Sequence, residues 1–318
     1  MAVTQRILTT VALALLLAAT LAACKDSGAS ATSGAAPVPA AAAGVQNASL
    51  TVKGMERSYR LYVPRSLPAD GAAALVVAMH GGLGTPEQFA ENSRFDQAAE
   101  AHGFLVVYPE GVGRTWNGGA CCGQAARQNI DDVAFISALI DHLREGFDID
   151  PNRVFATGHS NGAIMSFRLA CELSDKIAGI GAVAGSLEVS TCSAPRPVAV
   201  LAIHGDADQN HPLVGGMGPN SVAGVPFASL ASSMEALRKA NGCSAATDTS
   251  REGAVTTSIW RGCRPGGETE QRIIAGASHA WPGATRAGSA LVGPPSQALD
   301  ATEEVWRFFE THARSAGR

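Results

Sequence analysis

Gly158-His159-Ser160-Asn161-Gly162 lies between an apolar run, Arg153 to Thr157, and a run of helical character, Ala163 to Leu173. Strand, G-x-S-x-G, helix is a sequence that holds a serine proud of the backbone on a sharp turn, with glycines where side chains would collide with the adjoining strand and helix. Such a serine serves nucleophilic attack on an acyl carbon. Its hydroxyl is a weak nucleophile at neutral pH, so it needs a histidine to take its proton and a carboxylate to hold that histidine's tautomer.

With the nucleophile on this kind of turn, the chain order is serine, then acid, then histidine. The apolar run Val198 to Ile203 leads into His204-Gly205-Asp206-Ala207-Asp208. This puts two carboxylates just past a strand's C-terminal end. Asp208 is taken as the acid, and Asp206, closer to the strand and able to cap the turn, is its rival. Of the eight histidines, three follow Asp208. His312 belongs to the last helix and His211 is too near Asp208 to reach round to Ser160, which leaves His279 in Gly276-Ala277-Ser278-His279-Ala280-Trp281-Pro282-Gly283 as the base. Because His279 must be neutral to accept a proton, activity is expected to fall in acid.

Acyl transfer also needs backbone N–H groups aimed at the developing oxyanion. One is assigned to Asn161, the residue after the nucleophile. The second should follow an early strand, and Ala78-Met79-His80-Gly81-Gly82-Leu83-Gly84 ends one in a glycine turn. It is assigned to Gly82, with Leu83 the alternative; His80 is expected to order this loop through hydrogen bonds. No metal site is expected, since no C-x-x-C pair or nearby histidine set supports zinc.

These groups must be positioned by a scaffold, and the chain's periodicity gives one. Ser49 to Val52 and Ser58 to Val63 flank Lys53-Gly54 as a β-hairpin. Then strands (Ala74 to Met79, Phe104 to Tyr108, Val154 to Thr157) alternate with helices (Pro86 to Ala101, Ile130 to Leu143, Ala163 to Leu173). Ile177 to Val183 and Val198 to Ile203 add buried strands, Arg272 to Ala275 reads as strand, and Ser232 to Ala240 and Thr302 to Thr311 read as helices. Strands without polar alternation, separated by helices, predict an α/β fold with a mostly parallel central sheet covered on both faces; with the serine turn between strand and helix, this resembles the α/β-hydrolase arrangement. Asp131 and Asp132 are read as favourable carboxylates at a helix N-terminus.

The chain has 318 residues, 46% of them hydrophobic and 16% charged, which is ample for a deep core. A net charge of -4 without any Lys/Arg run excludes the electrostatic footprint of nucleic-acid binding. Arg6 precedes a predominantly apolar stretch that ends in Leu21-Ala22-Ala23-Cys24, the shape of a secretion signal with a lipobox. Residues 1–23 are therefore expected to be a lipoprotein signal peptide. Cys24 is the expected lipidation site and membrane anchor, residues 24–44 a flexible Ala/Ser/Gly/Pro tether, and residues 45–318 one catalytic domain. The other six cysteines suggest disulfides in an exported chain. Cys243 pairs best by spacing with Cys263, which leaves Cys121 and Cys122 to partner Cys171 and Cys192 in an order that spacing does not fix.

With these residues assembled, the chain resembles the secreted esterases grouped with polyhydroxybutyrate depolymerases and feruloyl or acetylxylan esterases, bacterial lipoproteins among them. The resemblance runs from about Ser58 to Gly283. It rests on His80-Gly81-Gly82, Tyr108-Pro109-Glu110-Gly111, Trp116-Asn117-Gly118-Gly119 with Cys121-Cys122, Asp131-Asp132-Val133, the serine pentapeptide, His204 to Asp208, Asn241-Gly242-Cys243 and His279 to Gly283. It implies Ser160, Asp208 and His279 as the triad, since a non-acidic residue usually stands where this chain has Asp206. It also implies that Trp116 and Trp281 flank the substrate. The function expected is a serine carboxylesterase without metal or organic cofactor. Its substrates would be polyhydroxyalkanoate oligomers, feruloyl or acetyl polysaccharide esters, or small acyl esters. Peptide hydrolysis on the same fold and a surface-tethered, non-catalytic binding module are the rival readings.

Overall fold

The computed structural model describes residues 42–68, 71–286 and 290–314. The signal-peptide and lipidation expectations, Cys24 included, fall outside the described residues. So does the expected tether up to residue 41; its last residue, Gly44, opens the first strand instead.

Among the described residues the sheet has ten strands, in the order β1-β2-β4-β3-β5-β6-β7-β10-β9-β8. The hairpin β1 (Gly44–Val52) and β2 (Met55–Val63) pairs antiparallel with β4 (Leu105–Pro109) at one side. The centre is parallel: β4, β3 (Ala73–Met79), β5 (Ile149–His159), β6 (Gly179–Val183), β7 (Ala199–Gly205) and β10 (Thr269–Ile274). β9 (Val255–Trp260) and β8 (Thr247–Glu252) close the far side antiparallel.

Successive residues of β3 feed opposite cores, which is why the strand is apolar throughout. Leu75, Val77 and Met79 pack with α4 (Asp132–Gly146), α5 (Asn161–Glu172) and α6 (Leu230–Ala240). Ala74, Val76 and Ala78 pack with α1 (Pro86–Ser93), α2 (Phe95–His102) and α7 (Ala301–Thr311).

The helix expected over Pro86 to Ala101 is two helices. Arg94 breaks it in the left-handed region at φ 58°, its N–H returning to the Ala90 carbonyl and its guanidinium holding Gly283 O and Asp300. Nothing in the apolar spacing marks that break, because its partners lie some 200 residues away in sequence. A short helix, α3 (Gly123–Arg127), and the β8–β9 pair are further elements beyond those expected.

Disulfides join Cys243 to Cys263, as spacing suggested, but Cys121 to Cys122 and Cys171 to Cys192. The expected cross-pairing fails on distance. Cys121 and Cys122 pack beside Ile164, whereas Cys171 lies seven residues further along α5, about 10 Å at helical rise and beyond the Cα reach of a disulfide.

Candidate active site

Ser160 follows β5 directly and caps α5 with φ 55° and ψ -117°, a strained conformation that only tight surroundings maintain. Those surroundings are backbone. A Cβ on Gly158 would lie 2.4 Å from the Gly162 carbonyl carbon, and one on Gly162 would lie 2.1 Å from Met79 O of β3. The glycines therefore let strand and helix meet at the turn, and the serine is left facing outward.

β7 and β10, parallel neighbours, deliver the next two groups. After β7 the chain turns through Asp206 to Asp208; after β10 it loops to His279. The loops are stitched by Ala207 N to Ala277 O at 3.1 Å and by Gly276 N to Asp206 Oδ1 at 2.7 Å. Asp206 therefore pins the histidine loop, while Asp208 Oδ2 lies 2.6 Å from His279 Nδ1. His279 Nε2 lies 2.8 Å from Ser160 Oγ. Burial opposes the Asp208 charge, but hydrogen bonds from His204 and His279 and from the His211 amide outweigh it and hold the carboxyl well below the usual carboxylate range. With Asp208 ionised, His279 Nδ1 must carry the proton. The Nε2 lone pair then accepts from the serine hydroxyl.

Two candidate oxyanion donors border the serine. Asn161 is the first residue of α5, where the amide has no intrahelical acceptor. Its side chain is locked by Trp116 N to Oδ1 at 2.7 Å and Nδ2 to Trp116 O at 3.0 Å. A Cβ on Gly82 would lie 3.8 Å from that of Asn161, so the two residues adjoin. The Leu83 amide donates to Arg114 O at 2.8 Å, which removes it from contention. His80 orders the loop as expected: Nδ1 donates to Gly81 O at 2.8 Å and Nε2 accepts from Gly111 N at 3.1 Å. Burial lowers its pKa and keeps the ring neutral.

Trp281 borders the cavity above Ser160, its indole set edge-on to Phe89 and Phe95 and donating to Thr302 Oγ1. Trp116 does not reach the cavity. It is fully buried beneath the Gly81-Gly82 loop, its Nε1 donating to His80 O at 2.9 Å. The expected substrate contact is thus replaced by a supporting one. Asp132 likewise supports: it pairs in the interior with Arg57 at 2.7 Å and accepts from Asn117 N at 2.8 Å, and Asp131 caps α4.

Sequence reasoning gave no role to three histidines that the structure places beside Ser160, Asp208 and His279. His159 Nε2 donates to His279 O at 2.6 Å, and burial, with the His279 imidazole nearby, pushes its pKa down to about 4. His204 Nε2 donates to His211 O at 2.8 Å and lies 3.4 Å from Asp208 Oδ2. His211 stacks on Phe227 and bonds Ser186 Oγ at 2.7 Å; burial lowers it to about 2. The available signal was position: each adjoins Ser160, Asp208 or the Asp208 loop. The segment from Asp206 to Ser229 also forms a wall of the cavity through His211, Val222 and Phe227. Its length, with only an isolated bridge between Gly216 and Phe227, was the cue to a functional loop.

The cavity over Ser160 measures about 620 Å³. A hydroxyl and an imidazole lining it, backed by the buried Asp208 carboxylate and bordered by Gly82 and Asn161, can attack an acyl carbon and stabilise the anion that forms.

Comparison with known proteins agrees with this chemistry. A relative from Nocardia uniformis subsp. tsuyamanensis, named putative esterase NocK, is 31% identical over 255 residues, which is 74% of each chain. Feruloyl esterase B of Piromyces equi is 28% identical over 228 residues, 68% of this chain but 41% of that longer protein. The solved acetyl xylan esterase from Aspergillus awamori shares the fold, with a TM-score of 0.56 at 17% identity over 74% of this chain and 94% of that one. The family model Esterase PHB depolymerase matches residues 57–254, more than half of the sequence. By its sequence the chain belongs to that family, and it is a carboxylic ester hydrolase of the α/β-hydrolase fold.

Proposed function

We propose that the esterase works through Ser160 as nucleophile, His279 as general base and acid, and Asp208 as the orienting carboxylate. The unbroken chain of contacts from Ser160 Oγ through His279 to Asp208, at 2.8 and 2.6 Å, carries this reading. His279 takes the serine proton as Oγ attacks the ester carbonyl, and the Gly82 and Asn161 amides receive the oxyanion. His279 then protonates the departing alkoxide. Water attacks the resulting acyl-enzyme with His279 again as base, which releases the acid and restores the serine. No step calls on a metal or organic cofactor. Ser160→Ala should cut kcat on 4-nitrophenyl acetate by on the order of 10⁶, and near-normal turnover by that variant would end the proposal.

The substrates we assign are oligomeric hydroxyalkanoates, feruloyl or acetyl esters of polysaccharides, or small acyl esters, with Trp281 beside the acyl or aryl group. The names of the relatives support this range, and parallel assays on hydroxybutyrate oligomers, methyl ferulate and acetylated xylan would narrow it. Three disulfides support export, and the Leu21-Ala22-Ala23-Cys24 sequence supports acylation at Cys24. Labelled palmitate should enter the wild-type protein and not Cys24→Ala.

A further inference from the structure

Three arginines, all exposed, are among the residues lining the cavity over Ser160: Arg114, Arg127 and Arg286; among the described residues no Asp or Glu lines it. The chain as a whole has a net charge of -4. Away from the cavity, Arg57, Arg60, Arg94, Arg168 and Arg238 each hold a carboxylate partner, while others such as Arg144 and Arg153 hold none among the described residues. Among the described residues Arg114 and Arg127 hold none.

Arg114 is built into the oxyanion loop. Its carbonyl accepts from the Leu83 amide, and its Nε donates to Gly84 O at 3.3 Å. Arg127 ends α3, whose start is fastened to the same turn by Ala125 N to Thr115 Oγ1 at 3.0 Å. Arg286 has only Glu91, 3.9 Å away and just as exposed, a pair worth little in water. Glu87 and Glu110 are the other acids felt at His80, but neither faces the cavity, and Glu110 accepts from Ser58 Oγ. Unpaired guanidiniums around a concave site are a ready receptor for a carboxylate, which they bind through charge-assisted hydrogen bonds.

We infer that the site selects esters that carry a carboxylate beyond the scissile bond, held by Arg114 and Arg127 with Arg286 adding to the field. This rests on the assignment of Ser160 as nucleophile. The carboxylate can belong to the acyl group or to the leaving alcohol, and two pairs of probes separate these sources. The acyl pair is 4-nitrophenyl hemiadipate against 4-nitrophenyl hexanoate; the alcohol pair is 3-(4-acetoxyphenyl)propanoate against its primary amide. The reading is the ratio of kcat/KM, anionic over neutral, in each pair.

For the wild type the ratio should exceed one in at least one pair. In Arg114→Gln/Arg127→Gln it should fall there by about tenfold, chiefly through KM, and lysine at both positions should restore part of it. Salt offers a check that leaves the fold untouched: raising ionic strength from about 0.01 M to about 1 M, which shortens the Debye length from about 30 Å to about 3 Å, should lower the same ratio in the wild type. Ratios at or below one in both pairs, or a ratio unmoved by the double substitution and by salt, overturn the inference. If Ser160→Ala still turns over the neutral probes, it is the nucleophile assignment that fails. If that variant is silent while the charge ratios stay flat, the nucleophile stands and only the carboxylate receptor falls.

Discussion

At the scale of single residues, the two aspartates after β7 differ in partner. Asp208 faces the imidazole, whereas Asp206 holds the amide of Gly276. Asp208→Asn should reduce kcat by about 10⁴, because an amide there favours the wrong histidine tautomer. Asp206→Asn keeps an acceptor for the Gly276 amide and should cost far less; kcat/KM of both variants on one ester checks the contrast, and equal losses would refute it. Ser160, Asp208 and His279, which the structure brings into one line of contacts, were each singled out in sequence, as was the glycine turn after β3. Chain order alone left Asp206 and Asp208 both open, since which of them turns inward is decided by the Gly276 amide arriving from 70 residues away. Trp116 was misread for a related reason. A tryptophan in a glycine-rich loop suits a ligand surface and a buried prop equally, and only the His80 carbonyl waiting beneath it settles the matter.

At the scale of elements, the parallel strands were legible because burial on both faces makes them continuously apolar. β8 was not, since all six residues of Thr247–Glu252 are exposed and leave no periodic trace. α5 was legible in position, and the collision its glycines avoid can be measured. Gly162→Ala would drive a methyl group into Met79 O and should lower stability by about 3 kcal/mol or more, read by urea denaturation. An unchanged midpoint would mean that strand and helix can separate at the turn. The Cys243–Cys263 bond ties the end of α6 to the loop after β9 across a separation of 20 residues. Replacing both cysteines by alanine should cost about 3 kcal/mol by loop-closure entropy, with little change in KM, since neither residue lines the cavity.

At the scale of the whole molecule, buried neutral histidines link folding to pH. His159 and His211 have folded pKa values of about 4 and about 2, whereas an unfolded histidine titrates near 6.5. Below pH ~6.5 the unfolded chain therefore binds more protons than the folded one, so stability must fall as pH drops through that value toward 4. The depressed Asp208 carboxyl acts in the same sense at lower pH, where its ionic form is lost only on approaching its folded value. Melting temperatures should decline steadily from pH ~7 to pH ~4, and a flat profile over that interval would contradict the burial of these rings.

The wholly exposed β8 has one more consequence. The ten-stranded sheet of the described residues ends there in peptide groups without a further strand partner, and the segment that presents them reads Thr-Asp-Thr-Ser-Arg-Glu. Charge and hydration along that selvedge make it a poor template for a neighbour's strand, so this margin of a wide, strongly apolar sheet resists edge-to-edge pairing.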